Sequence, residues 1–243
     1  MATAAPSTPQ QARLDLETAL SRMAAQVESQ LANAVSAFER RDLDAAERVV
    51  AGDERIDALY HAIDAKVMAL LSQGPLPQDS VREILTISKL SGELERVGDL
   101  AKNVAKRTVV VSMQAPARPT AGVARMGRAC LRQFSDILTA YNTRNLNAAR
   151  AVWGGDDELD ELYNSVFEEI LVAMMRDPEL VNACTHLVFI AKNFERVGDH
   201  ATNIAEALHF VVTGSRLENA RPKGDKTSTT VVAPPKQSGT ASG

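Results

Sequence analysis

The feature that most constrains this chain is that it repeats itself. Displaced by 103 positions, Phe38–Tyr60 falls on Tyr141–Tyr163 with ten of 23 pairs identical, among them Leu43/Leu146, Gly52/Gly155, Asp53/Asp156, Asp57/Asp160 and Tyr60/Tyr163. Displaced by 100, Glu95–Ala105 falls on Glu195–Ala205 with eight of 11 identical. The block Glu-Arg-Val-Gly-Asp stands whole in both copies, at Glu95–Asp99 and Glu195–Asp199. A fixed-period internal match of this kind means that one supersecondary unit has been used twice. The change of period from 103 to 100 puts a three-residue deletion between the second and third segments of the second copy.

Apolar residues recur at helical spacing almost throughout, and Pro and Gly cluster only at Gly74–Pro77, Pro116–Pro119 and Asp177–Pro178. These breaks and a set of start signals outline six helices. The first opens at Thr8-Pro9 and runs to about Arg40. The second is capped by Asp42 and ends near Gln73, and the third starts at the capping box Ser80-x-x-Glu83 and runs to about Met113. The fourth opens near Thr120, Asn145 caps the fifth, and the sixth begins at Asp177-Pro178 and stops at Gly214. The expected fold is all-α, two tandem three-helix bundles related by a pseudo-twofold axis. Residues 1–8 read as a leader, 9–115 and 116–215 as the two bundles, and 216–243 as a disordered Thr/Ser/Pro/Gly/Lys-rich tail.

Aromatic residues are 4% of the chain, which disfavours a sandwich or barrel. The formal net charge is −4, with a basic tail on a more acidic body, so nucleic acid is not the expected partner. Cys130 and Cys184, each among apolar neighbours, read as buried small hydrophobes. No apolar run approaches the roughly 18 residues of a membrane span, and no secretory signal pattern is present, so a cytoplasmic protein is expected. There is no P-loop, nucleophile elbow, dinucleotide fingerprint or paired Cys-x-x-Cys, and no enzyme activity is expected.

The acidic residues are arranged. On the third helix, Ile84, Ile87, Leu90, Leu94, Val97, Ala101 and Val104 form one apolar stripe. At about 100° per residue, Glu95 and Asp99 lie on one flank of it, with Asn103 following. On the second helix, Asp53, Asp57 and Asp64 lie on the same-handed flank of the Ile56, Leu59, Ile63, Val67, Leu70 stripe. A short turn makes the two helices antiparallel, and in an antiparallel pair like flanks face each other. A hairpin pivot inside Gly74–Pro77 sets Asp57 level with Glu95 and Asp53 level with Asp99. In the second copy a pivot at Asp177–Pro178 pairs Asp160 with Glu195 and Asp156 with Asp199. Four carboxylates converging in each repeat repel unless neutralised, and a bound hard cation such as magnesium, calcium, manganese or iron suits an all-oxygen donor set. A solvated acidic face is the alternative for any single Asp.

Gly98 and Gly198, mid-helix at the stripe edge, point to close helix approach. Arg96 and Arg196 point outward. Glu206-x-x-His209 is one half of a di-iron motif that would need a second copy facing inward. His61 and His200 lie near the acidic faces, where an added ligand is the alternative to surface polar positions; His186 reads as a packed or surface histidine, and Trp153 beside Gly154-Gly155 as a core anchor at a helix kink.

The phrases Ile87–Asp99 and Asn193–Glu206, a doubled and correctly spaced signature, resemble those of the PhoU family of phosphate-signalling regulators over about residues 10–215. The resemblance implies a cytoplasmic, usually dimeric, non-enzymatic protein. Such a protein restrains phosphate uptake and relays the state of a phosphate ABC transporter to a membrane sensor histidine kinase, meeting the membrane through these partners. It implies surface metal sites carried by Glu95 and Asp99 and by Glu195 and Asp199, taking a divalent or trivalent ion (magnesium, manganese, iron or zinc). The family's frequent third acidic position is an amide here, Asn103 and Asn203. The alternatives are a carboxylate-cluster metalloenzyme, which needs inward-facing ligands, and a purely structural bundle.

Overall fold

The computed structural model describes residues 9–115, 117–217 and 224–232. Seven α-helices account for the body: α1 (Pro9–Arg40), α2 (Leu43–Leu71), α3 (Gln78–Ser112), α4 (Thr120–Asn142), α5 (Leu146–Gly154), α6 (Asp156–Arg176) and α7 (Val181–Thr213). No helix among the described residues is long and apolar enough to cross a membrane. Helices α1–α3 form the first repeat and α4–α7 the second.

Most boundaries follow from local chemistry. Asp42 accepts from the Ala45 amide at 2.9 Å, and Asn145 accepts from the amides of Asn147 and Ala148, each at 3.1 Å. Gly214 closes α7 in the left-handed region at φ 75°, where a side chain would strain the backbone. Asp177 caps a 3₁₀ turn, Pro178–Leu180, that leads into α7.

Two expectations change. The Ser80/Glu83 capping box is not formed: α3 begins at Gln78 behind Pro77, without a side-chain cap, and Glu83 instead pairs with Arg13 of α1. A cross-helix ion partner outcompetes a local cap bond. The fifth expected helix is also broken in two, since α5 ends at Gly154 and α6 begins at Asp156. The Gly154-Gly155 pair lowers the cost of the break, whereas its repeat mate Gly52 has a single glycine and stays helical.

The two repeats are fused. Helix α3 packs against α7 as extensively as against α2, and α1 against α4, so equivalent helices of the two repeats meet like with like. That is the pairing a twofold relation requires. One hydrophobic core runs through both repeats, from Leu16 on α1 to Leu208 on α7. Every residue of the α3 stripe is buried, as are Ile56, Ile63, Val67 and Leu70 of α2. Phe194, fully buried on α7, marks the junction: a Cβ added at Gly127 of α4 would lie 2.9 Å from its ring and 3.5 Å from Val35 of α1. Gly98 plays the role its position suggests, because an added Cβ there would stand 3.1 Å from Ile56 of α2.

A shared core makes the repeats one cooperative unit. Phe194→Ala is expected to cost about 3–5 kcal/mol. Its thermal unfolding, followed by far-ultraviolet circular dichroism and by the fluorescence of Trp153, should remain a single coincident transition; two separated transitions would mean independent bundles.

Candidate functional site

The first acidic face lies between α2 and α3. Asp53 is buried, only 3% exposed, although it is a carboxylate on a helix flank. Two groups make that tolerable. The Gln30 side-chain amide, from α1, donates to Asp53 at 3.1 Å and to the Gly98 carbonyl at 3.3 Å. The Lys102 ammonium pairs with Asp53 and reaches Asp99 at 3.0 Å, bridging the two helices. Its hydrogen bond to Asp53 is the main cause of a Lys102 pKa held far above the ordinary range. Glu95 shares this field. Partial burial raises its pKa, Asp99 raises it further, Arg96 opposes, and Asp57 and Asp53 add to the rise. Across α2 and α3 the Lys102 ammonium ties Asp53 to Asp99, and Glu95 lies within the field of these carboxylates and of Asp57. Asn103 follows on α3 and is exposed, as is Asp64.

The second face is closed differently. Glu195 is buried and pairs with Lys192, one turn earlier on α7, at 2.9 Å. Burial pushes its pKa up to about 7; the Lys192 hydrogen bond lowers it, while Asp199 and Asp225 raise it. Asp160 is also buried, and it is turned to the backbone of a later segment. Its Oδ2 accepts from the Gly224 amide at 2.7 Å and the Asp225 amide at 3.1 Å. Lys192 reaches the Asp225 carboxylate at 2.9 Å. Gly224, Asp225 and Lys226, inside the stretch whose composition reads as a disordered tail, are thus held against α6 and α7, and a 3₁₀ turn follows at Thr227–Thr229. Asp156 begins α6, but its side chain lies outside the described residues, as do leader residues 1–8.

Asn203 does not join the second face. Its amide nitrogen donates to Glu93 of α3 at 3.1 Å, and His200 Nδ1 donates to the same carboxylate oxygen at 2.6 Å. Both are part of the α3–α7 seam. Burial alone would raise the Glu93 pKa, but the hydrogen bonds from His200 and Asn203 outweigh it and hold the carboxyl below its ordinary range. The remaining polar positions fall as their sequence context suggests. Arg96 is exposed beside Glu95, Glu206 accepts from the Trp153 indole at 3.3 Å, and His209 meets the Ser215 carbonyl at 3.1 Å. His186 stands 3.4 Å from Arg107, and both cysteines are free and buried.

The cationic partners were the residues that sequence reasoning missed. Lys102 is three positions after Asp99 and Lys192 three before Glu195, spacings that place each on the acidic flank. Neither is repeated, since their counterparts are Thr202 and Gly92. A search for what the two copies share passes over them. Among the described residues, no group of three or more His, Cys, Asp or Glu is arranged to hold a metal ion. On the first face Lys102 already stands between Asp53 and Asp99, where a cation would sit. The second does not fit one as it stands, because Asp160 and Lys192 are committed to residues 224 and 225.

An all-α body built from a doubled three-helix unit, with an acidic groove on each copy, places the chain among tandem helical-bundle proteins. Comparison with known proteins narrows this class. The PhoU domain model matches residues 20–108 and again 123–208. A phosphate-specific transport system accessory protein PhoU homolog of Caulobacter vibrioides is 45% identical over 212 residues, 86% of this chain and 92% of that one. The accessory protein PhoU of Escherichia coli is 27% identical over 82% of this chain and 83% of its own. The crystal structure of PhoU from Pseudomonas aeruginosa superposes with a TM-score of 0.83 at 28% identity, covering 86% of this chain and all of that one. The chain belongs to the PhoU family.

Removing the lysine from the first face tests its role. Lys102→Met leaves Asp53 buried without its cation and is expected to cost about 2–4 kcal/mol in urea unfolding, much of it recovered in Asp53→Asn/Lys102→Met. Titrated with Mn²⁺ by calorimetry, Lys102→Met should bind more tightly than wild type. Equal affinity would separate the lysine from any ion site.

Proposed function

We propose that this protein is a regulatory accessory subunit of a phosphate transport system, repressing phosphate uptake and phosphate-starvation signalling. The observation that carries this reading is the 45% identity to the Caulobacter PhoU homolog over nearly that protein's whole length, with the signature doubled in the same fold. The partners proposed with it are the transporter's ATPase subunit, a membrane sensor histidine kinase and a second copy of this chain, in the cytoplasm. No enzymatic step is part of the proposal. The acidic groups lie on flanks of the helix pairs rather than converging in the bundle interior, which favours a docking role over the metalloenzyme alternative.

A hard cation belongs to the same proposal. It would be held on the first face by Asp53, Asp57, Glu95 and Asp99, with the Asn103 carbonyl at the margin, and would take the place of Lys102. What such an ion supplies is charge: it neutralises the groove so that an anionic or hydrophobic partner surface can approach. Magnesium, manganese, iron and zinc are the ions to try.

The test is alkaline phosphatase activity in phosphate-rich medium. A deletion strain should be derepressed, and the wild-type gene should restore repression. A normally repressed deletion strain would overturn the reading. With folding checked by circular dichroism, Glu95→Ala/Asp99→Ala/Glu195→Ala/Asp199→Ala should fail to restore repression; full restoration would remove the acidic faces from the regulatory role.

A further inference from the structure

The second acidic face holds a piece of this chain, and two of the residues that hold it, Asn164 and Lys192, have no counterpart on the first face. Gly224 and Asp225 present consecutive amides to one oxygen of Asp160. Asn164, one turn further along α6, brackets the same backbone with both ends of its amide. Its Nδ2 donates to the Gly224 carbonyl at 2.8 Å, and its Oδ1 accepts from the Lys226 amide at 2.9 Å. Lys192 adds the ion pair to Asp225 and stands 5.0 Å over the ring of Tyr163. Asp225 in turn accepts from the Thr227 amide at 2.8 Å and its hydroxyl at 2.7 Å, folding the segment on itself.

Each contact selects for sequence. A Cβ on residue 224 would lie 3.1 Å from Asp160 Cβ, a tight contact, so the close approach favours glycine. Position 225 must be an acid to meet Lys192, and position 227 a hydroxyl to meet Asp225. An amide side chain that satisfies the donor and acceptor of an extended backbone is a way to bind peptide rather than a free ion. The first repeat shares Asp57 and Tyr60 with Asp160 and Tyr163, but it has His61 in place of Asn164 and Gly92 in place of Lys192. It lacks the bracket and the cation.

From this we infer that the α6–α7 face is a peptide-binding site for a Gly-Asp-x-Thr turn, filled in cis by Gly224–Thr227. The seated segment covers Glu195 and Asp160 and closes the second face, leaving the first face as the open one. The inference stands on the contacts alone and is independent of the regulatory reading.

Hydrogen exchange of the full-length chain, resolved at residues 224–227 and compared with the urea-unfolded chain, tests it. The amides of Gly224, Asp225 and Lys226 should exchange roughly tenfold or more slower than in the unfolded chain, independently of protein concentration. Asn164→Ala should abolish that protection without loss of helical circular dichroism. Gly224→Val is the second variant; no residue of 224–232 belongs to the hydrophobic core, so it cannot act through misfolding of the body. Unprotected amides in wild type, or protection that survives both variants, would overturn the site. Protection that appears only as concentration rises would overturn cis closure in favour of a second copy's segment.

Discussion

The contact on which the rest depends is the seam of α3 against α7. Each of these helices must serve two neighbours: its own repeat's partners on the apolar stripe, and its counterpart in the other repeat on the adjoining side. The Glu93–His200–Asn203 cluster is where that second surface is made specific. In this half-buried polar cluster one carboxylate oxygen of Glu93 accepts from both His200 and Asn203, which ties α3 to α7 through a charged acceptor. Because the seam takes one side of α3 and α7, the acidic flanks are left to the opposite side, each facing its own hairpin partner.

Once the flanks are placed, electrostatics sets their character. Converging carboxylates cannot all stay charged and partly desolvated without a cation, and the protein carries the cation itself. On the first face Lys102 bridges α2 and α3 and leaves Glu95 and Asp99 within reach of solvent. On the second, Lys192 is shared between Glu195 and Asp225, and the backbone of residues 224 and 225 supplies the donors that Asp160 needs. Two copies of one motif have become an open face and a covered one through residues that the repeat does not share.

Much of the fold could be read from sequence because its determinants are local or periodic. The caps at Asp42 and Asn145, the stop at Gly214 and the α3 stripe each act within one or two turns, where helix geometry converts spacing directly into position. The meeting of Asp53 and Asp99 across α2 and α3 was also legible, since two stripes and one turn fix the register of a hairpin. The Ser80/Glu83 box failed because Arg13, 70 positions away in sequence from Glu83, took the carboxylate.

The sequence alone therefore determined what depends on period and internal symmetry: the helices, the doubling, the family and which residues form the acidic flanks. Only the tertiary structure decided what neutralises those flanks, that Asn203 belongs to the seam, and that residues 224–226 lie on the second face. The physical reason is range. Helical periodicity is set within one turn and is written in adjacent residues. Charge pairing and segment docking are set by whichever distant group arrives, and nothing in the spacing of Asp160 announces a partner 64 positions later.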